Sequence, residues 1–173
     1  MPSTHCYPGL LLWDDSVHVF GGYPTSAVET GKLCERMLLP SLRWEVLPAL
    51  HHMRYCFNPV FWRAEAYLCG GFATSIEVFS GTAFRLLPLI LPEKDSPVIV
   101  FCRGTDLVIL SFNQIVSVSP ALTLTRNLRT ATILPFKQMG MPAVFGDTVF
   151  AVSEGRIYQF SLFTGQQCAS YLA

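Results

Sequence analysis

The chain has 173 residues, and only 14% are charged, with 12 Lys and Arg against 12 Asp and Glu. That length supports one ordinary domain core, and the balanced charge offers no general attraction for a phosphate backbone, so nucleic acid is not an expected partner. Mean hydropathy is high at +0.39, yet Pro, Gly, Asp and Asn break the apolar runs far short of the ~18 residues of a membrane helix, and no membrane association is expected.

In chain order, Met1-Pro2-Ser3-Thr4-His5-Cys6 shows no basic stretch leading into an apolar one, so no secretory signal is read there. Leu10-Leu11-Leu12-Trp13 then reads as a strand, Asp14-Asp15-Ser16 as a tight turn, and Val17-His18-Val19-Phe20 as a second strand ending in Gly21-Gly22. A long loop runs from Tyr23 to Lys32. Cys34-Glu35-Arg36-Met37-Leu38 is a third strand, and Arg43-Trp44-Glu45-Val46-Leu47-Pro48 a fourth. The pattern then restarts. Pro59-Val60-Phe61-Trp62, the turn Arg63-Ala64-Glu65, the strand Ala66-Tyr67-Leu68-Cys69 before Gly70-Gly71, Ile76-Glu77-Val78-Phe79, and Ala83-Phe84-Arg85-Leu86-Leu87-Pro88 follow in the same order.

Two further copies are weaker. Val98-Ile99-Val100-Phe101-Cys102 turns through Arg103-Gly104-Thr105-Asp106, with Ile115-Val116-Ser117-Val118 as third strand. Pro142-Ala143-Val144-Phe145 turns through Gly146-Asp147-Thr148, with Ile157-Tyr158-Gln159-Phe160 as third strand. In these copies Ser111-Phe112 and Ser153-Glu154 stand in place of the double glycine, and no fourth strand is evident. Residues His18, Tyr67, Val108 and Phe150 open the second strands at spacings of 49, 41 and 42. A period of that size marks a repeat array. The reading is all-β: about four units of four antiparallel strands, approximately residues 5–50, 51–92, 93–136 and 137–173, in one array.

The motifs Arg54-Tyr55, Tyr67-Leu68-Cys69-Gly70-Gly71 and Ile76-Glu77-Val78-Phe79, with Trp44 and Phe84 in the late aromatic position, resemble the kelch-repeat family. The resemblance is clear over residues 5–91 and degenerate over 92–173. It implies a partial kelch-type β-propeller, an open arc of blades, since such propellers commonly close with about six or seven. It gives Gly21, Gly22, Trp44, Tyr67, Gly70, Gly71 and Phe84 structural roles. It also implies a protein-interaction scaffold that binds a protein or peptide through loops on one face, with self-association through open blade edges as a further expectation. The competing expectations are a degenerate fragment without independent function, and a propeller-type enzyme.

Thirteen residues before the four second-strand openers stand His5, Arg54, Asp95 and Lys137. Around Arg54, the run Leu50-His51-His52-Met53-Arg54-Tyr55 sets cationic groups beside an aromatic ring, a combination suited to acidic peptides. The expected partner-binding residues are therefore Tyr23, His51, His52, Arg54, Tyr55 and Lys137. The alternative for Arg54 and Tyr55 is that they only stitch adjacent blades. His51, His52 and Cys56 do not have zinc-site spacing, and no Gly-x-Ser-x-Gly or phosphate-binding Gly-rich motif occurs. Tyr7 beside Cys6 and Tyr55 beside Cys56 are no more than sequence neighbours, so the Tyr–Cys centre of copper-oxidase kelch propellers is not expected. No catalysis, metal or cofactor is expected. Six cysteines without a secretory context are read as reduced thiols of a cytoplasmic protein, with Cys69 and Cys102 acting as small hydrophobes.

Overall fold

A computed structural model of the chain describes residues 3–23, 31–91, 99–110, 114–122, 124–129, 143–146, 148–153, 156–161 and 167–172. The chain divides into two compact units, Met1–Ser96 and Pro97–Ala173. Each unit holds two four-stranded antiparallel sheets whose strands neighbour one another in sequence order. Unit 1 contains β1 (Gly9–Trp13), β2 (Ser16–Phe20), β3 (Cys34–Leu38) and β4 (Arg43–Leu47), then β5 (Val60–Trp62), β6 (Glu65–Leu68), β7 (Ser75–Phe79) and β8 (Phe84–Ile90). Unit 2 contains β9 (Ile99–Arg103), β10 (Asp106–Leu110), β11 (Gln114–Val118) and β12 (Leu124–Arg129), then β13 (Ala143–Phe145), β14 (Thr148–Ser153), β15 (Arg156–Ser161) and β16 (Gln167–Leu172). The chain is thus all-β, with four four-stranded sheets of the kind that form propeller blades. Strands β12 and β16, for which the sequence shows no clear signal, complete the third and fourth sheets. Among the described residues no helix is long and apolar enough to cross a membrane.

The repeat is kept at the level of register. The residues read as opening the second strands, each in fact the third residue of its strand, pair with the residue seven positions upstream in every sheet: His18 with Leu11, Tyr67 with Val60, Val108 with Phe101, and Phe150 with Ala143. Two-residue hairpin loops set that register. Asp14 and Asp15 both take positive φ (51° and 50°), as do Arg63 and Ala64 (53° and 62°), while Gly104 and Gly146 begin the other two turns at 57° and 59°. Positive φ in such loops matches the right-handed twist of the flanking strands.

Strands β6 and β10 are buried along nearly their whole length. Both of their faces are covered, so their sequences read as continuous apolar runs rather than alternating ones. In unit 1 the core lies between the two sheets. Phe20 and Cys34 meet Leu50, Phe57, Ala66, Leu68 and Phe79, with Leu11, Trp13, Leu47 and Phe84 packed against them. Phe84 packs its ring against Phe79 of its own sheet and Phe20 of the first (4.6 and 6.1 Å between centroids). Each fully buried ring of this kind contributes about 1.5–3 kcal/mol of transfer free energy. Trp44 is half-buried on the opposite face, in register with Met37, Val17 and Leu12. Two expectations about cysteines part company: Cys69 is buried, but Cys102 is exposed, one residue short of the turn that ends β9.

Candidate binding surface

At one end of both unit 1 sheets, the segments leading into β1 and β5 meet those leaving β2 and β6. The double glycines make this meeting possible. Gly21 has φ 62° and Gly71 φ 69°, and a Cβ on Gly21 would collide with the Arg54 carbonyl oxygen. A Cβ on Gly71 would lie 3.0 Å from the Tyr55 carbonyl. Only glycine gives both the conformation and the room. The close approach is used: the Gly22 amide donates to the Arg54 carbonyl at 2.8 Å, and the Arg54 amide to the Gly31 carbonyl at 3.2 Å.

The Arg54 side chain turns the other way, into the second sheet, and is 0% exposed. Its Nε donates to Glu77 Oε1 (3.1 Å), one terminal nitrogen to the Gly70 carbonyl (2.6 Å), and the other to the carbonyl and hydroxyl of Ser75 (2.6 and 2.9 Å). Arg54 therefore leaves the expected partner-binding set. Its donors are spent on a buried carboxylate and loop carbonyls, so it stitches the first sheet's loop to the second sheet. Glu77, also fully buried, accepts from the His51 and His52 amides at 2.8 and 3.1 Å and from His51 Nδ1 at 3.1 Å. Burial alone would raise its carboxyl, but the Arg54 charge and these amide donors outweigh burial and hold it below the usual carboxylate range.

The first sheet repeats this arrangement with different groups. Glu35, fully buried, accepts from Ser3 Oγ at 2.9 Å and faces His5 Nε2 at 3.1 Å, while His5 Nδ1 lies 2.6 Å from the Gly21 carbonyl. His5 and Glu35 thus occupy the places of Arg54 and Glu77. Sequence reasoning gave neither glutamate a site role, because nothing local in Cys34–Leu38 or Ser75–Phe79 marks its carboxylate as buried against a loop. The available signal was their shared register: each sits opposite the residue that follows the second-strand opener, Val19 or Leu68. The same register holds Val116 in the third sheet and Tyr158 in the fourth.

What remains accessible at this end is aromatic. Tyr23 meets Tyr55 edge to face (centroids 5.0 Å, 86°), and Tyr55 stacks on Phe72 (4.2 Å, 20°). Tyr23 and Phe72 are 49% and 38% exposed, and Tyr7 is 65% exposed. Tyr7 and Phe72 hold φ of 53° and 68°, a conformation that is a true outlier for bulky residues. The amide of Cys56 donates to the Tyr7 carbonyl at 2.9 Å, and that of Tyr23 to the Cys6 carbonyl, so the aromatic row is held by backbone bonds between loops. His51 and His52 flank it with half-exposed rings. Ser75 Oγ accepts from Arg54 and so has its own hydrogen to give to His52 Nδ1, 3.0 Å away. The structure therefore brings together Tyr23, Tyr55, His51 and His52 of the expected set and adds Tyr7 and Phe72. Lys137 and Asp95 lie outside the described residues, as does most of the Tyr23–Lys32 loop.

Cys34 and Cys69 are buried, and burial pushes both thiols up to about 12, which leaves them unreactive packing groups. Among the described residues no three His, Cys, Asp or Glu side chains are placed to hold a metal ion.

No protein-family model matches the chain, and no curated protein matches it in sequence. Among solved structures it is similar to one described as the structure of YjhT, with a TM-score of 0.69 over 97% of this chain at 10% identity. The chain spans 66% of that neighbour. At this identity the likeness concerns the fold alone.

Proposed function

We propose that the chain is a kelch-type protein-interaction module that binds a peptide or protein segment, without catalysis, at the loop end of unit 1. The observation that carries this reading is the run of rings Tyr23, Tyr55 and Phe72, with the exposed Tyr7 on the adjoining loop, where Tyr7 and Phe72 are kept in strained backbone conformations. Strain of that kind costs on the order of 1–3 kcal/mol per residue and persists where surrounding structure enforces it, often at functional sites. Tyrosine and phenylalanine bury large areas at low conformational cost, which suits them as interface anchors. His52, whose Nδ1 accepts from Ser75, keeps its Nε2–H as a donor for acidic or polar groups, and His51, whose Nδ1 donates to Glu77, offers Nε2 as an acceptor. The family assignment draws support from the constant register of the four sheets and from the paired double glycines. A cytoplasmic setting draws support from Cys6, Cys34, Cys56, Cys69 and Cys102, all free thiols.

The test is selection of a displayed random-peptide library on the immobilised chain, repeated with the double substitution Tyr7→Asn, Phe72→Asn. Asparagine tolerates positive φ better than either ring, so the variant should fold at least as well while the peptides enriched by the parent are lost. Absence of enrichment by the parent, or equal enrichment by the variant, removes the proposal.

A further inference from the structure

We infer that the chain associates head to tail with a second copy of itself, the outer face of its first sheet taking the fourth sheet of that copy. The packing inside unit 1 defines the seat. Trp13 closes over Phe61 and Phe79 of the second sheet (centroids 5.3 and 6.0 Å) and over the bend at Gly81, where an added Cβ would lie 3.3 Å from the indole. Phe61, Ala66, Phe79 and Phe84 form one rung across β5–β8. Leu12, Val17, Met37 and Trp44 form the same rung across β1–β4. Successive residues of a strand point to opposite faces. The first sheet therefore repeats, on the face opposite to Trp13, the seat that Trp13 fills on the second.

That repeated seat stands open. Leu12 is 68% exposed, and Leu10 and Val46, on the adjoining rung, are 49% and 69% exposed. The loop end of this face is covered, by Ser3 and His5 over Glu35, just as His51–Arg54 cover Glu77 on the second sheet. The residue pattern is not that of a solvated face. On the side packed against the second sheet, the rung that begins Leu11 and His18 runs out into Arg36 and Glu45. On the outer side, the outermost strand still presents Trp44 and Val46. An antiparallel sheet with one wet side places its polar residues on that side, so the first sheet is patterned for cover on both faces.

The fourth sheet carries the matching half. Trp13 lies five positions before His18 and pairs with Ser16 across its hairpin, and Phe145 lies five before Phe150 and pairs with Thr148. Phe145 is 82% exposed. One repeat thus exposes the ring, and another exposes the seat. Placing Phe145 of a second copy over Leu12 and Met37 reproduces the contact of Trp13 with Phe61 and Phe79, and so continues an interface that unit 1 already uses. Two first sheets meeting face to face would instead leave Phe145 in water. An interface between unlike surfaces either closes into a ring or continues from copy to copy, and each copy then uses both faces. Neither face includes Tyr7, Tyr23, Tyr55 or Phe72, so this association and the proposed peptide site stand or fall separately.

The experiment is sedimentation velocity of the full chain over a range of concentrations, for the parent, Leu12→Lys and Phe145→Lys. Reducing buffer removes cross-links through the exposed Cys56 and Cys102. Both replaced side chains are largely exposed, so each variant should keep a cooperative melt by circular dichroism. Val46→Lys, on the outermost strand of the same face, is a second outer-face variant with the same expected behaviour as Leu12→Lys. The parent should rise from the 19.3 kDa of one chain to the mass of two or more. Each variant alone should stay at one chain, because every junction needs both faces. An equimolar mixture of Leu12→Lys and Phe145→Lys should regain two-chain particles, since the intact ring of the first fits the intact seat of the second. A parent that stays at one chain leaves the face to a different protein and overturns the inference. Association of Phe145→Lys by itself also overturns it, by showing that two first sheets meet face to face, and so does a mixture that stays at one chain.

Discussion

The first two sheets and the last two share a strand register but hold it by different means. In unit 1 the position opposite the residue after the second-strand opener carries a buried glutamate, Glu35 or Glu77, matched by His5 or Arg54 from the preceding loop, each of which also meets a glycine carbonyl. In unit 2 that position carries Val116 and Tyr158, both buried. A hairpin and an apolar contact are therefore enough to set the register. The ionic clamp does something else: it fastens a loop that has no strand of its own. Where the double glycine opens space for that loop, the carboxylate is present. Where Ser111-Phe112 and Ser153-Glu154 replace the glycines, the carboxylate is gone.

The sharpest way to break this comparison is Glu77→Gln, which leaves the Arg54 guanidinium buried without its counter-charge. Removing one partner of a buried ion pair costs about 3–5 kcal/mol, so unit 1 should unfold at markedly lower denaturant in a urea titration. Val116→Ala, at the equivalent place in the third sheet, should cost less, because only methyl packing is lost there. Equal effects at the two sites would mean that the clamp adds nothing beyond packing.

A second test addresses acid. His18 stacks between Trp13 and Phe20 (centroids 5.3 and 5.9 Å), is buried, and has an Nδ1 with no hydrogen-bond partner. Desolvation lowers its pKa from the ordinary 6.5, with the Arg36 charge adding to the shift and the Ser16 carbonyl and Asp14 opposing it. The unfolded chain thus takes up the proton more readily than the folded one. Stability is intact above 6.5 and falls as pH drops from there through the lowered folded value. His18→Phe should remove that portion of the acid sensitivity, read as the difference between thermal melts at neutral and acidic pH. This effect is confined to the first sheet, since Tyr67, Val108 and Phe150 stand at the equivalent positions.

The smallest expected effect lies in a hairpin. The third and fourth sheets begin their turns with Gly104 and Gly146, whereas the second turns through Arg63-Ala64 at positive φ. Relieving Ala64 by Ala64→Gly should stabilise unit 1 by about 0.5–1 kcal/mol, the left-handed penalty less the added freedom of the unfolded chain. A loss of stability in the denaturant titration would show that the turn is not strained.

Much of the strand order was legible because hairpins are local. Asp14-Asp15, Arg63-Ala64, Gly104 and Gly146 each close a two-residue loop, and apolar runs on either side pair wherever the loop puts them. The fourth strands of the last two sheets were not legible. Leu124-Thr125-Arg126-Asn127-Leu128-Arg129 has too many polar residues to read as an apolar run, although β11 provides a complete edge for it to pair with. Among the site residues, Tyr23, Tyr55, His51 and His52 were reachable from loop position alone. Phe72 was not, because nothing local marks an aromatic residue after Gly-Gly as accessible. Arg54 was found for its charge and misread for the same reason, since a cation beside a tyrosine looks identical in sequence whether it faces solvent or a buried carboxylate.

By itself the sequence determined the all-β class, the repeat and the register, all of which follow from contacts between residues a few positions apart. Only the tertiary structure decided that Glu77 lies beneath Arg54 and Glu35 beneath His5, and which aromatic rings stay accessible. Those outcomes depend on which loop passes over which sheet, and the chain carries no local signal for contacts made across 23 and 30 residues.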